Sequence, residues 1–426
     1  MLNIKLFREN PEIIKNDLKK RKYKDREKVV DEIIKLDLKF RELKNKTDEI
    51  KHSRNLISKE ISKAKKEGKN PKDLFVKAKE IPKLLEKNDE KVKELQIKIK
   101  KHLLKIPNIL HDKVPIGDSD EDNKVIRKFG KPIVPKFELI PHGEFAEKLC
   151  GADFDNSRKI AGAGFYFLTG DLALLNQAII RFAVDLLVKK GYTYVEPPLM
   201  MRREPYSGCV DLTDFENVMY KIEGEDLYMI ATSEHPLISR FMNEVILEKT
   251  LPMKFVGYSM CFRKEIGSAG VDTKGFFRTH QFNKVEQIIF CKPEESWKLF
   301  EETQKNSEEL FAALELPFRV VDVCSGDIGM IAARKHDIEV WLPRQKKYRE
   351  VTSCSNCLDY QTRRLNIRYF DKAGNKVIPH TLNNTGVATS RALVAILENY
   401  QNEDGTLTIP KVLQKYMGKK IIKCKK

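Results

Sequence analysis

The sequence predicts an α+β protein: an N-terminal antiparallel α-helical coiled-coil hairpin, then a mostly antiparallel β-sheet with flanking helices. Three observations predict it. Apolar residues follow a heptad repeat between about residues 28 and 105. From about residue 115 to about 410 glycine, proline and aromatic residues take over and the heptads end. Within that second stretch strand-like and helix-like segments alternate irregularly, without the steady strand–helix alternation of a parallel sheet. The 426 residues suffice for two or three domains, and the expected division is 1–110 and 111–426.

In the first region Ile33, Leu36, Phe40, Leu43, Thr47, Ile50, Arg54, Ile57, Ile61 and Ala64 advance by alternating steps of three and four, the seam of a coiled coil. Glu67-Gly-Lys-Asn-Pro71 interrupts with turn residues. The seam resumes at Ile81, Leu85, Asn88, Val92, Leu95, Ile99, His102 and Ile106, so one helix goes out and another returns. Pro82 lacks a backbone donor and is expected to kink or delay the returning helix. At 1.5 Å per residue each helix reaches about 57 Å, long enough to protrude from a globular body.

Charge is concentrated in the same stretch. Residues 21–105 hold 28 basic and 16 acidic side chains, so +12 of the net +17 lies there. A basic arm favours a polyanion through counterion release, and its scarcity of aromatics favours the backbone and shape of a folded nucleic acid over stacked single-stranded bases. The competing reading is a solvated coiled coil that only dimerises the protein.

The mean hydropathy of −0.46 and the lack of an apolar run near the roughly 20 residues a bilayer requires exclude a transmembrane helix. Eight scattered cysteines lack the density of a secreted disulfide scaffold, which points to a reducing compartment. The opening residues, from Met1 to Pro11, carry an acidic residue and a helix-entry signal and lack a leader's apolar stretch. The expected location is cytoplasmic.

In the second region Pro107, Pro115, Pro132, Pro135 and Pro141 mark an irregular connector. A helical pattern from Asp171 to Lys190 leads into a short strand, Tyr192 to Glu196, stopped by Pro197-Pro198. Met260 to Glu265 and Thr279 to Phe290 read as two strands joined by a loop rich in glycine and charge, with Arg263 and Arg278 at its ends. Fixed cations there suit a bent triphosphate. Strand periodicity places Arg278, Phe282 and Glu286 on one face, a cation, a flat ring and an acid on one floor. Thr381 to Tyr400 reads as a polar strand or turn entering a buried helix whose first turn carries Arg391, a guanidinium that needs an anionic or aromatic partner.

These motifs resemble those of the cytosolic seryl-tRNA synthetases, class II aminoacyl-tRNA synthetases, across essentially the whole chain. Phe262-Arg-Lys-Glu265, Gly267-Ser-Ala-Gly270 and His280-Gln-Phe-Asn-Lys-Val-Glu286 resemble the second class signature. Thr381 to Tyr400 resembles the third, the helix with Tyr192 to Pro198 the first, and Arg349-Glu-Val-Thr-Ser-Cys-Ser-Asn356 a stretch typical of seryl enzymes. The resemblance implies a class II catalytic domain behind a tRNA-binding arm. The implied reaction activates L-serine with ATP to seryl-adenylate, releases pyrophosphate, and transfers serine to the 3′ end of tRNA(Ser), and of tRNA(Sec) where present.

Carried onto this sequence, the resemblance implies that Arg263 holds the α-phosphate, Glu265 reads the adenine amino group, Arg278 holds the γ-phosphate, and adenine lies between Phe282 and Arg391. Glu350 and Ser353 are implied ligands of Mg²⁺ or a phosphate oxygen, with Val351 and Thr352 between them in the ATP-binding stretch. Thr232, Ser233 and Glu234 are implied to hold the serine amino group, with Arg263 beside them. Glu286 and Thr385 then face the hydroxyl, with Asn383 nearby. Arg263, Arg278 and Arg391 are the implied catalytic residues; attack on a phosphate needs orientation and charge neutralisation more than a general base. A homodimer is implied, because such enzymes bury the first signature between protomers. Four positions depart from the family pattern: Asn384 and Gly164 replace a usual Gly and Arg, and in Pro343-Arg-Gln-Lys346 Arg344 and Lys346 replace the glycines of a usual Pro-Gly-Gln-Gly.

Cys354-x-x-Cys357 alone is a weak zinc signal, since a structural zinc takes four ligands, and no zinc is expected. His280 has two open readings, a contact to ATP or a structural hydrogen bond. The rival functions are a non-catalytic RNA-binding module, which the loss of a motif arginine would favour, and a ligase that loads a carrier protein, which the long arm argues against.

Overall fold

The computed structural model describes residues 1–68, 70–210, 216–265 and 275–424. The chain separates into two compact units, Met1–Pro107 and Asn108–Lys426.

In the first unit α1 (Glu27–Lys66) and α2 (Lys72–Leu103) pair as the hairpin. Ile33, Thr47, Leu85 and Ile99 are buried along the seam and most other heptad positions are half-buried. Arg54 is exposed, because a guanidinium at a seam position escapes to water. The contacts His102–Glu32 (3.5 Å) and Lys51–Asp89 (3.4 Å) mark which levels of the two helices face each other. The delayed start expected from Pro82 is corrected: α2 begins ten residues earlier and runs through it. Pro82 is exposed, where water can satisfy the carbonyl that its missing N–H leaves over. At the base of the hairpin, Asp37 is buried and bound by Arg8 (2.7 and 2.8 Å) and Arg41 (3.0 Å). Burial works against its charge, but these cations outweigh it and hold the carboxyl below its ordinary range.

The second unit is built on an eight-stranded sheet. In chain order its strands are β1 (Lys124–Phe129), β2 (Thr193–Val195), β3 (Met253–Phe262), β4 (Gln281–Cys291), β5 (Phe318–Asp322), β6 (Arg334–Leu342), β7 (Lys347–Leu358) and β8 (His380–Ala388). Their order across the sheet is β1-β5-β6-β7-β8-β4-β3-β2, and only β2 and β3 pair in parallel. The helices that matter here are α3 (His142–Lys148), α4 (Gly170–Lys189), α5 (Glu234–Ser239), α6 (Ser296–Ala313) and α7 (Thr389–Asn399). The two long strands thus start and end a few residues away from the sequence expectation, and Arg278 precedes β4. It reaches the site from the loop, so strand alternation does not explain its position.

Alternation along β4 divides the unit. Val285, Ile289 and Cys291 join α4, α6 and α7 in the main apolar core, whereas Ile288 and Phe290 pack on the opposite face against Tyr206, Tyr228 and Leu237. Phe282, Lys284 and Glu286 share that second face by period two, so the polar site opens opposite the long helices. Among the described residues no helix is long and apolar enough to cross a membrane. The cysteine reading is corrected at one place. Cys150 and Cys424 form a disulfide across 274 residues, a separation that leaves no spacing signal, while the other six cysteines are free and buried.

Candidate active site

A cavity of about 320 Å³ lies over β3, β4, β7 and β8. Its walls include Arg263, Glu265, Arg278, Phe282, the stretch Glu350–Ser353, Thr385 and Arg391, so the whole expected nucleotide set meets in one place. Residues 266–274, with the Gly267-Ser-Ala-Gly270 motif, lie outside the described residues.

Two β-bulges give the cavity its shape. On a regular strand Glu350 and Ser353 would point to opposite faces. The register of β6 against β7 shifts between the pairs Ile338↔Thr352 and Glu339↔Glu350, and the extra residue, Val351, turns into the core beside Cys354. Glu350 and Ser353 therefore both reach the cavity. The second shift lies between Thr385 and Val387 and brings Thr385 and Ala388 to the same wall, while Val387 joins the core. Bulges re-aim side chains in this way.

Three guanidiniums make the cavity strongly cationic. Arg263 stacks over Phe282 at 5.2 Å and reaches the Ala231 carbonyl at 3.4 Å. Arg391 donates to the Glu350 carbonyl at 2.7 Å, sits 3.4 Å from its carboxylate, and lies 5.4 Å over the ring of Phe277. The Glu350 side chain is 46% exposed; partial desolvation by the surrounding protein disfavours its charge, but Arg391 and Lys335 outweigh this and hold the carboxyl below its ordinary range.

The expected serine set adjoins this cavity. Lys284 binds Glu286 at 2.5 Å and Thr232 at 3.3 Å; Thr385 stands opposite Glu286 across the β4–β8 ladder. Glu234 accepts from Gln361 at 2.8 Å and from Asn383 at 3.2 Å. Desolvation, then the nearby Glu286 charge, push the Glu234 carboxyl up to about 7, and desolvation also raises Glu286. Ser233 is turned the other way: its hydroxyl is fully buried and donates to the Gly257 carbonyl at 3.3 Å. Gly257 is required there, because a Cβ would stand 2.6 Å from Leu237 and 2.8 Å from the Ser233 hydroxyl.

Lys284, Phe277 and Gln361 belong to the site and were not among the expected residues. Lys284 carried a readable signal, since it falls between Phe282 and Glu286 at the same period of two; Gln361 carried none. The His280 alternatives resolve toward structure: its Nδ1 lies 2.8 Å from both the Tyr220 hydroxyl and the Arg263 carbonyl, and its ring stacks on Phe165. Gly164 makes room for that ring, because a Cβ there would come within 2.3 Å of it. Asn384 keeps extended backbone and faces the helices, donating to the Thr303 carbonyl (2.8 Å) and Ser307 (2.9 Å). The Cys354 thiol points to the Phe300 carbonyl and Cys357 accepts from Asn383; burial raises both thiols far above their ordinary range.

On the first unit a shallow, open groove of about 430 Å³ is lined by Ser58, Lys59, Ser62, Lys63 and Lys66 near the tip of α1.

Residues 1–110 match the seryl-tRNA synthetase N-terminal domain and residues 217–400 the class II tRNA synthetase core domain (G, H, P, S and T). The Serine–tRNA ligase of Methanoregula boonei is 50% identical over 420 residues, 98% of this chain and 99% of that one. Two solved structures are similar over the full chain. A seryl-tRNA synthetase from Pyrococcus horikoshii complexed with ATP has a TM-score of 0.94 at 48% identity and 100% coverage of both chains. A cytoplasmic serine–tRNA ligase from Naegleria fowleri in complex with AMP has a TM-score of 0.88 at 38% identity, covering 100% of this chain and 99% of that one. With both domains matched and half of its residues shared over nearly its full length, the chain belongs to the seryl-tRNA synthetase family of class II aminoacyl-tRNA synthetases, ATP-dependent ligases that join serine to tRNA.

Proposed function

We propose that the cationic cavity binds ATP and that the adjoining carboxylate cluster binds L-serine for adenylate formation. The observation that carries this reading is the convergence of Arg263, Arg278, Arg391 and Phe282 in one cavity, with Glu234, Glu286 and Thr385 beside it. Arg263 holds the α-phosphate, Arg278 the γ-phosphate, and the adenine ring lies between Phe282 and Arg391, within reach of Glu265. The serine carboxylate attacks the α-phosphorus, an O–P bond forms, the α–β anhydride breaks, and pyrophosphate leaves with the electron pair. A terminal ribose hydroxyl of tRNA then displaces AMP from the seryl carbonyl. The arginines neutralise the charge that builds on the phosphates. Thr232 and Glu234 receive the serine ammonium; Glu286 and Thr385 receive the hydroxyl, with Asn383 nearby and donating to the Glu234 carboxylate.

The donor set also suits Mg²⁺. Glu350 is held ionised, and the bulge brings Ser353 to the same wall as a second hard oxygen. Among the described residues no cluster of three or more His, Cys, Asp or Glu side chains could hold a metal ion, which fits a cation shared with substrate phosphates and water. When bound it neutralises phosphate charge.

ATP–pyrophosphate exchange tests the assignment. A pocket that hydrogen-bonds a hydroxyl rejects the analogue without it by about 10⁴ or more, so alanine is refused on that ground and threonine by size; equal exchange with alanine would overturn the reading. The same assay carries a pH signature. Glu234 attracts the ammonium only when ionised, and its elevated value means it protonates as pH falls through about 7. The KM for serine is expected to climb below that point by up to about tenfold per pH unit, with the KM for ATP less affected.

We further propose that the basic arm grips tRNA, that the protein works in the cytoplasm and that it is a homodimer. The dimer is supported by apolar side chains left open on the first-signature elements: Leu174 is 56% and Val188 45% exposed on α4, and Tyr194 41% on β2. Sedimentation at micromolar concentration should give twice the chain mass, and a monomer would contradict it.

A further inference from the structure

Next to the nucleotide cavity a fully buried histidine and glutamate are left with unmatched polar atoms. His142 opens α3 and Glu398 ends α7, and both side chains are 0% exposed. The His142 Nε2 accepts the backbone N–H of Phe276 at 3.3 Å. An imidazole that accepts at Nε2 carries its proton on Nδ1, and Nδ1 faces Glu398 Oε1 at 3.9 Å. Among the described residues neither of those two atoms has a hydrogen-bond partner. The other Glu398 oxygen accepts the Arg344 N–H at 3.1 Å, in the turn between β6 and β7.

What this pair holds is the chain just ahead of two cavity residues. Phe276 is fully buried, with Phe154 and Tyr166 against its ring at 5.2 and 5.0 Å, and Phe277 and Arg278 follow it on the cavity wall. Gly275 gives the imidazole room, since a Cβ there would stand 2.1 Å from Nε2. At its start α7 lays Arg391 over Phe277, and near its end Glu398 lies 3.9 Å from the imidazole that receives the Phe276 N–H.

We propose that His142 is a positioning residue for ATP. By accepting the Phe276 N–H, it fixes where Phe277 and Arg278 stand. This rests on the assignment of the cavity to ATP. Two substitutions separate the two ring nitrogens: His142→Gln keeps an acceptor near the Nε2 position, whereas His142→Asn keeps a polar atom only near Nδ1. Both should lower the melting temperature to a similar extent. The KM for ATP in the exchange assay is expected to rise about tenfold in His142→Asn, as for one lost buried hydrogen bond, to stay near the parent value in His142→Gln, and the KM for serine to hold in both. Equal KM values for ATP in the two variants would overturn the role. Should His142→Asn fail to fold, ¹⁵N-histidine spectra of the unaltered protein decide: ATP should shift the His142 Nε2 resonance, and a resonance unmoved by ATP refutes the proposal. Arg391→Ala run alongside keeps the two readings apart, because full exchange in that variant would remove the ATP assignment itself.

Discussion

Removing the outer arm is expected to leave serine-dependent ATP–pyrophosphate exchange nearly unchanged and to reduce tRNA charging by about a hundredfold or more. The structure sets where to cut. Deleting all of Lys28–Lys105 would also remove Val30, Ile33 and Asp37, which are buried at the base, with Asp37 tied to Arg8. The contacts His102–Glu32 and Lys51–Asp89 show which levels of α1 and α2 face each other, so Lys46–Lys93 can be replaced by a short linker with the base retained. That segment carries 15 basic and nine acidic residues, including the lysine-lined groove. Charging by the intact protein should fall steeply as salt rises, with a slope near the number of phosphates neutralised, and the truncated form should show a shallower slope. If the truncated protein charges tRNA as well as the full chain does, the arm is a dimerisation or solubility device.

Replacing Arg391 or Arg263 by alanine is expected to lower adenylate formation by about 10³ or more, the scale for removing a preorganised group that meets developing charge. Melting should shift little, because both side chains border the cavity and neither fills the apolar core. Arg391→Ala has a second effect: without its main cation, the Glu350 carboxyl moves back toward neutrality. Lysine at 391 should not restore activity, since an ammonium lacks the plane that lies over a ring. Retained exchange in either alanine variant would refute the assigned roles.

The arm was legible because a heptad seam writes its packing partners into the spacing, and only Pro82 misled, its cost being met by solvent. The floor of the site was legible in part, since period two joins Phe282 to Glu286 and should have yielded Lys284 between them. The bulges were not. Nothing in Glu350-Val-Thr-Ser353 says that an extra residue reverses the parity of the strand, and the family resemblance supplied the pair where periodicity would have separated it. Cys150 with Cys424, and His142 with Glu398, join distant parts of the chain, a tertiary fact that local pattern cannot carry.

The divided faces of β4 also set which changes of length the protein can absorb. One residue inserted at the start of β4 would exchange the two faces beyond it, delivering Lys284 and Glu286 into the apolar core and Val285 toward the cationic cavity. The hairpin obeys another rule, because whole heptads added in step to α1 and α2 restore the same seam. Length variation among descendants of this gene should therefore accumulate in the arm, while the strands of the sheet stay fixed in count.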